Sequence, residues 1–171
     1  MEFAKLIEER RSVRAYQQRE VEDDKLRSIV HAANRAPSAG DLQAYSIVVV
    51  RDAKARRALA AAAYDQAFVS EAPVVLVFLA RPSLSAEKYG SRGKALYCVQ
   101  DATIACAYAQ LAAHDVGLGA CWVGAFRDEA VCKIVGAAQD EVPVALLPLG
   151  YAAERPERAP RRRLEEMTRS V

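Results

Sequence analysis

KALYCVQDATIACAYAQLAAHD, residues 94–115, is the stretch on which the fold turns. Between Ala95 and Ala113 the plainly polar residues are Gln100, Asp101, Thr103 and Gln110, so a helix over Lys94–Asp115 is apolar nearly all round. Such a helix must be buried on nearly all sides. A domain of 171 residues can surround one central helix, and a subunit interface buries it with less demand on the rest of the chain. The stretch alone leaves both readings open, and the interface is the one adopted. Cys98 and Cys106, inside the helix, behave there as small apolar residues.

Working outward, the segment upstream, Arg81 to Gly93, is polar and carries Pro82, Ser83, Ser85, Gly90 and Gly93, which reads as a loop. Before it, Val74–Leu79 and Tyr45–Val50 are apolar, β-branched runs that read as strands. Lys54–Ala63 is an alanine-rich helix. A further helix opens at Val21-Glu22-Asp23-Asp24, with Leu26, Ile29, Val30 and Ala33 on one face. Downstream, Gly117–Phe126 reads as a strand framed by glycines, Arg127–Val135 as a brief helix and Val142–Leu149 as the last strand. The tail, 152–171, is charged and proline-broken, with no core of its own. Helices interleaved with strands favour a layered arrangement of one domain, 1–171, over a bundle or a β-sandwich.

Basic residues number 24 and acidic residues 22. So even a balance argues against nucleic acid as the main partner. Basic residues instead concentrate at Arg10–Arg14 and Arg155–Arg163, which suits one small anionic ligand. No apolar run is long enough to cross a membrane and the first residues do not read as a signal peptide. The four cysteines lack C-x-x-C spacing, so reduced thiols in a cytoplasmic protein are expected and no metal site is. G-x-S-x-G, Walker A, H-E-x-x-H and strand-following G-x-G-x-x-G motifs are all missing. His31 and His114, the two histidines, sit in no motif that builds a triad. A chain so poor in acid–base and nucleophilic groups suits a borrowed cofactor.

Arg10-Arg11-Ser12-Val13-Arg14 follows a short amphipathic helix candidate with Phe3, Leu6 and Ile7 on one face. In extended geometry Arg10, Ser12 and Arg14 point the same way. Two guanidinium forks flanking a hydroxyl suit a phosphate. A solvated helix end is the other reading of the same residues. Taken alone, Ala36-Pro37-Ser38-Ala39-Gly40-Asp41 is a helix stop and turn. Trp122 reads as a core aromatic, Cys121 as a packed thiol and Arg161–Arg163 as a solvated charge run.

In order along the chain, however, Arg10–Arg14, Ala36–Gln43, Tyr89–Gly93 with Gln100-Asp101, Gly117–Phe126 and Leu147–Tyr151 resemble the nitroreductase family of FMN flavoproteins, its compact members in particular. The resemblance implies an α+β fold, a three-layer α-β-α sandwich with a mainly antiparallel central sheet. It implies a homodimer with two FMN sites at the interface, which accounts for the apolar helix. It further implies that Arg10, Arg11, Ser12 and Arg14 hold the flavin phosphate and the pyrimidine edge of the ring. Arg161 and Arg162 complete the phosphate clamp from the tail, as part of a C-terminal extension serving the phosphate site or the dimer. Pro37, Ser38, Ala39, Asp41 and Gln43 contact the flavin from their turn, and Val123 and Gly124 cover one ring face with backbone. The other face is left to NADH or NADPH and the acceptor in turn, a ping-pong scheme. A cation at Arg14 stabilises the anionic reduced flavin. No side chain is assigned as a covalent or proton-transfer catalyst.

Members of the family usually have asparagine at the Asp41 position, Pro-Trp where this chain has Ala44-Tyr45, and often asparagine where it has Tyr108. An ionised Asp41 accepts but does not donate. The function implied is an FMN-dependent NAD(P)H oxidoreductase acting on a small nitroaromatic, quinone or other conjugated acceptor. The alternative, motivated by Asp41 and Ala44, is a flavin-binding protein without turnover, serving storage, sensing or a partner enzyme.

Overall fold

A computed structural model describes residues 2–171. Its elements run α1 (Phe3–Glu9), α2 (Asp23–Asn34), β1 (Tyr45–Val50), α3 (Ala53–Ala62), α4 (Phe68–Glu71), β2 (Val74–Ala80), α5 (Pro82–Arg92), α6 (Cys98–Asp115), β3 (Gly119–Ala120), α7 (Asp128–Val135) and β4 (Val142–Gly150). The four strands form one antiparallel sheet in the order β1-β2-β4-β3.

β2 explains the layering. Every residue from Val74 to Ala80 is buried, which is why the run shows no polar alternation. Val74, Leu76 and Phe78 pack with Ile29 of α2 and with Ala105 and Ala109 of α6. Val75, Val77 and Leu79 face the other way, onto Leu59 of α3, Val69 of α4 and Val131 of α7. Helices thus cover both faces of the sheet. Pro143, which cannot donate to a ladder, sits beside the register shift between Phe78 and Leu79.

Two expectations from sequence need correction. Arg81 to Gly93 is not a loop: Pro82–Arg92 is helical, interrupted at Gly90 (φ 56°, ψ −141°) and followed by one π-helical turn, Gly93–Tyr97. Pro82 stands at the first helical position, where its missing N–H costs nothing. The free N–H of Ser83 donates to the Asp140 carboxylate (2.9 Å), as does its hydroxyl, so a distant side chain caps this helix. Gly117–Phe126 is likewise less regular than expected. It pairs as a strand only over Gly119–Ala120, then touches β4 through the Cys121 N–H on the Pro148 carbonyl (3.3 Å) and a bridge from Val123 to Leu146.

The arginine-rich segment runs along the free side of β3. Ser12 bridges Ala120 in parallel, with the Val13 N–H on the Ala120 carbonyl (3.1 Å). Val13 lies so close to Gly119 that a Cβ there has no room. The buried Tyr16 hydroxyl lies 2.7 Å from the Val13 carbonyl and 3.1 Å from that of Pro148, pinning the segment to β4.

Beyond Tyr16 the chain is tied down by a polar network. Lys25 donates to the Tyr151 hydroxyl (2.7 Å), which donates to the Glu22 carboxylate (2.7 and 2.8 Å), while Arg19 stacks on the Tyr151 ring at 3.7 Å. The Tyr151 hydrogen bond, with smaller help from backbone and Arg19, holds Glu22 well below the ordinary 4.5, at about 2. Because the folded value lies below the unfolded one, the ionised carboxylate favours the folded state fully above about pH 4.5. That contribution drains away as the pH falls towards 2. Tyr151→Phe is expected to flatten the dependence of the urea midpoint on pH across this window. An unchanged slope would show that Glu22 does not report on folding.

Candidate functional site

At the C-terminal end of α6 a cavity of about 440 Å³ is lined by Arg10, Arg11, Gln110, His114, Gly119 and Arg155, among others. Arg10 is half-buried, and its guanidinium makes no hydrogen bond or ion pair among the described residues. Burial, followed by the charges of Arg161 and Arg11, pushes its pKa down. A partly desolvated cation repelled by two others is a position that an incoming anion relieves. Arg11 is more settled, donating to the carbonyls of Glu8 (2.7 Å) and Arg10 (3.0 Å). The tail returns to this end of the molecule: Arg158 pairs with Glu8 on α1, and Arg161 comes near enough for its charge to act on Arg10. Arg162 instead pairs with Glu166 (3.5 Å) and donates to the Glu166 carbonyl (2.7 Å).

Ser12, Arg14 and Arg10 all act on Cys121. Burial raises the pKa of this thiol, and Arg14, a hydrogen bond with Ser12 and Arg10 each oppose that rise. Arg14 is exposed, its guanidinium 5.9 Å from the centre of the Phe68 ring and its backbone N–H on Glu154 (2.5 Å). His114 lines the cavity with a buried Nε2 that finds no partner among the described residues. Burial lowers its pKa, with Glu9 opposing and Arg10 and Arg11 adding to the fall, so near neutral pH the ring is uncharged. Val123 is buried, and Gly124 follows it exposed.

Pro37, Ser38 and Ala39 lie elsewhere. With Tyr97, Asp101 and Ile104 they line a second cavity, of about 520 Å³, at the N-terminal end of α6. Asp41 is exposed and left-handed (φ 57°), and Gln43 (φ 48°) donates through its side chain to the Asn34 carbonyl (2.7 Å). Asp101 and His114 mark the two ends of one helix and stand about 20 Å apart at about 1.5 Å per residue. A single chain therefore does not bring the arginine group and the Pro37–Gln43 turn together. The surface joining them is the outer face of α6, where Val99, Thr103, Ala107 and Tyr108 are exposed and Ile104 and Leu111 half-buried. Beside it, α1 leaves Phe3 and Ile7 exposed, at 69% and 50%: the helix forms as its pattern suggests, but its apolar face is not covered within the chain.

The nitroreductase family profile matches residues 7–81 and 61–151, most of the chain. The chain belongs to the nitroreductase family. It is 36% identical over 172 residues to an NADH dehydrogenase of Thermus thermophilus, a match covering 85% of this chain and 84% of that protein. It is 27% identical over 173 residues to the FMN reductase [NAD(P)H] of Bacillus subtilis, covering 94% of this chain and 70% of the other. Among solved structures, the NADPH:FMN oxidoreductase from Vibrio harveyi complexed with NAD+ superposes with a TM-score of 0.89 at 26% identity, over 98% of this chain and 76% of that one.

Set on the nitroreductase fold, residues to which the sequence gives no individual site role lie at the two ends of α6, Glu154 and Arg155 at one and Asp101 at the other. Glu154 enters from a tail with no periodicity to mark it, whereas Arg155 opens the second basic cluster of the sequence. Asp101 was signalled more clearly, as the one charged residue between Ala95 and Ala113, in register with the buried Cys98, Ala102 and Ala105. Among the described residues no helix is long and apolar enough to cross a membrane.

Proposed function

We propose that the protein is an FMN-dependent NAD(P)H oxidoreductase, a homodimer whose two flavin sites are each completed by both chains, passing electrons to a small conjugated acceptor such as a nitroaromatic or a quinone. The observation that carries this reading is Arg10: half-buried, without a partner among the described residues, and repelled by Arg11 and Arg161 at the edge of a cavity. That is the electrostatic state of an anion site, and the FMN phosphate supplies the anion. FMN, when bound, supplies hydride exchange with a nicotinamide and electron delivery to the acceptor.

In this reading Arg10, Arg11 and Ser12 bind and orient the phosphate, and Arg161 from the tail adds to the positive field. Arg162, ion-paired with Glu166, joins the clamp if it exchanges that partner for the phosphate. Arg14, whose guanidinium makes no hydrogen bond or ion pair among the described residues and lies 5.9 Å from the Phe68 ring centre, is available for the pyrimidine edge, where a cation favours the reduced, anionic form. The backbone at Val123-Gly124 offers close approach to one ring face. Pro37, Ser38, Ala39, Asp41 and Gln43 reach the ribityl chain and ring from the partner chain. The second chain is supported by the separation along α6 and by the uncovered face between the two ends. Antiparallel packing of two such faces about a two-fold axis sets the turn of one chain beside the arginine group of the other. The free thiols, three of them buried, suit a reducing compartment and support a cytoplasmic location.

The direct test is the visible spectrum of the protein loaded with FMN, before and after NADH or NADPH is added without oxygen. Flavin bands that bleach are expected. Bands that persist with both nicotinamides would favour a storage or sensing role, and failure to take up FMN would sink the reading. If reductant and acceptor share one open face, double-reciprocal plots at several acceptor concentrations are expected to be parallel. Intersecting lines would mean that both are bound at once.

A further inference from the structure

The Pro37–Gln43 turn is held in a conformation that its residues do not choose for themselves. Gly40, Asp41 and Gln43 all have positive φ, at 58°, 57° and 48°, and only the glycine adopts that region freely. Such a backbone persists where its surroundings over-determine it. The Ser38 hydroxyl accepts the Gln43 N–H (3.0 Å), and Lys88 and Tyr89 of α5 close over Gly40. The two flanks of the turn have a single common anchor, Asp101. One carboxylate oxygen accepts the Ala39 N–H (2.8 Å) and the other the Ala44 N–H (3.3 Å).

Asp101 is 2% exposed and makes no ion pair among the described residues. A buried carboxylate without a cation is a costly choice on the buried side of α6, whose other members are alanine and cysteine. Its use lies in having two acceptor oxygens at once, which no neutral side chain of that size offers. The backbone N–H groups it satisfies lie on either side of the three left-handed residues, two of which, Asp41 and Gln43, are strained.

We propose that Asp101 is a positioning residue for bound flavin: anchored in α6, it clamps both flanks of the Pro37–Gln43 turn and so sets where Ser38, Asp41 and Gln43 stand at the cofactor. This rests on the flavin reading above. Because α6 also presents the face on which the second chain packs, the clamp ties the turn to the same rigid element that positions the partner's arginine group.

Asp101→Asn keeps the size of the side chain but leaves one acceptor and turns an NH₂ towards a backbone donor, so either Ala39 or the fully buried Ala44 loses its partner. Three measurements follow: amide exchange of the 37–44 segment in flavin-free protein, FMN affinity, and the visible circular dichroism of bound flavin. Expected are faster exchange, affinity weaker by about tenfold, and an altered dichroic spectrum. Val69→Ala, in the layer on the far side of the sheet, serves as a control that lowers Tm while leaving FMN affinity and spectrum as in the wild type. Unchanged affinity and spectrum in Asp101→Asn would overturn the proposal, as would an equal loss in Val69→Ala. Wild-type protein that takes up no FMN would overturn the flavin reading and this inference with it, whereas slow exchange in Asp101→Asn would remove the clamp alone.

Discussion

Ala107→Arg is expected to halve the particle mass in solution and to abolish flavin binding, although Ala107 lies in neither cavity. The residue sits mid-way along the outer face of α6, exposed within the single chain. An arginine there meets solvent in the monomer, so the fold itself should be indifferent to it. In a two-fold contact every substitution occurs twice, on self-complementary surfaces. Two unpaired charges buried at about 3–5 kcal/mol each weaken association by at least about four powers of ten. Light scattering coupled to size exclusion reads the mass, and absorbance reads the flavin. A monomer that retains stoichiometric FMN would mean that one chain builds the whole site. A dimer that survives would mean that another face makes the contact.

The second large effect concerns Arg10. Arg10→Ala should weaken FMN binding by about a hundredfold, from the loss of paired charge-assisted hydrogen bonds at about 1.5–3 kcal/mol each. The sign of the accompanying change in stability is the more telling observation. Arg10 is desolvated and repelled by Arg161 and Arg11 before any ligand arrives, so its removal from flavin-free protein should leave Tm unchanged or raise it. Fluorescence titration with FMN and thermal melts of flavin-free protein separate the two. A fall in Tm with unaltered affinity would make Arg10 a structural residue and move the phosphate elsewhere.

How far these properties were legible in the sequence differs by element, for physical reasons. β2 and β4 were plain because burial on both faces selects uninterrupted apolar runs. The long helix was plain for the same reason, although Gly93–Tyr97 is wound as a π turn and the α-helical part begins only at Cys98. α5 was not legible because Pro82, Ser83 and Gly90 are punctuation by their local chemistry, and the carboxylate that overrides them comes from Asp140. The 117–126 segment looked like a full strand because glycines framed an apolar run, yet most of it follows β4 without a ladder.

The site divides in a similar way. The arginine cluster announced itself by charge density; Ser12 within it bridges Ala120 of β3, and the cavity is lined by Arg10 and Arg11 but not by Ser12 or Arg14. What residue types cannot convey is distance: nothing in Arg10–Arg14 or in Pro37–Gln43 says that they stand at opposite ends of α6. A second subunit is what the family resemblance implies, and the separation along α6 is the geometry that supports one. Asp101 stood in view as a lone acid, but the backbone groups that it serves, at Ala39 and Ala44, are visible only when the chain is folded.

α6 has one more consequence, for how such a chain can change over generations. One helix sets the spacing between the arginine end and the turn, so it works as a ruler that both halves read. Inserting or deleting a residue inside it lengthens or shortens the ruler by about 1.5 Å and rotates everything beyond by about 100°. That turns the alanines now facing the sheet towards solvent and misaligns both ends together. A change of length inside α6 is therefore costlier than one in a segment that neither end depends on.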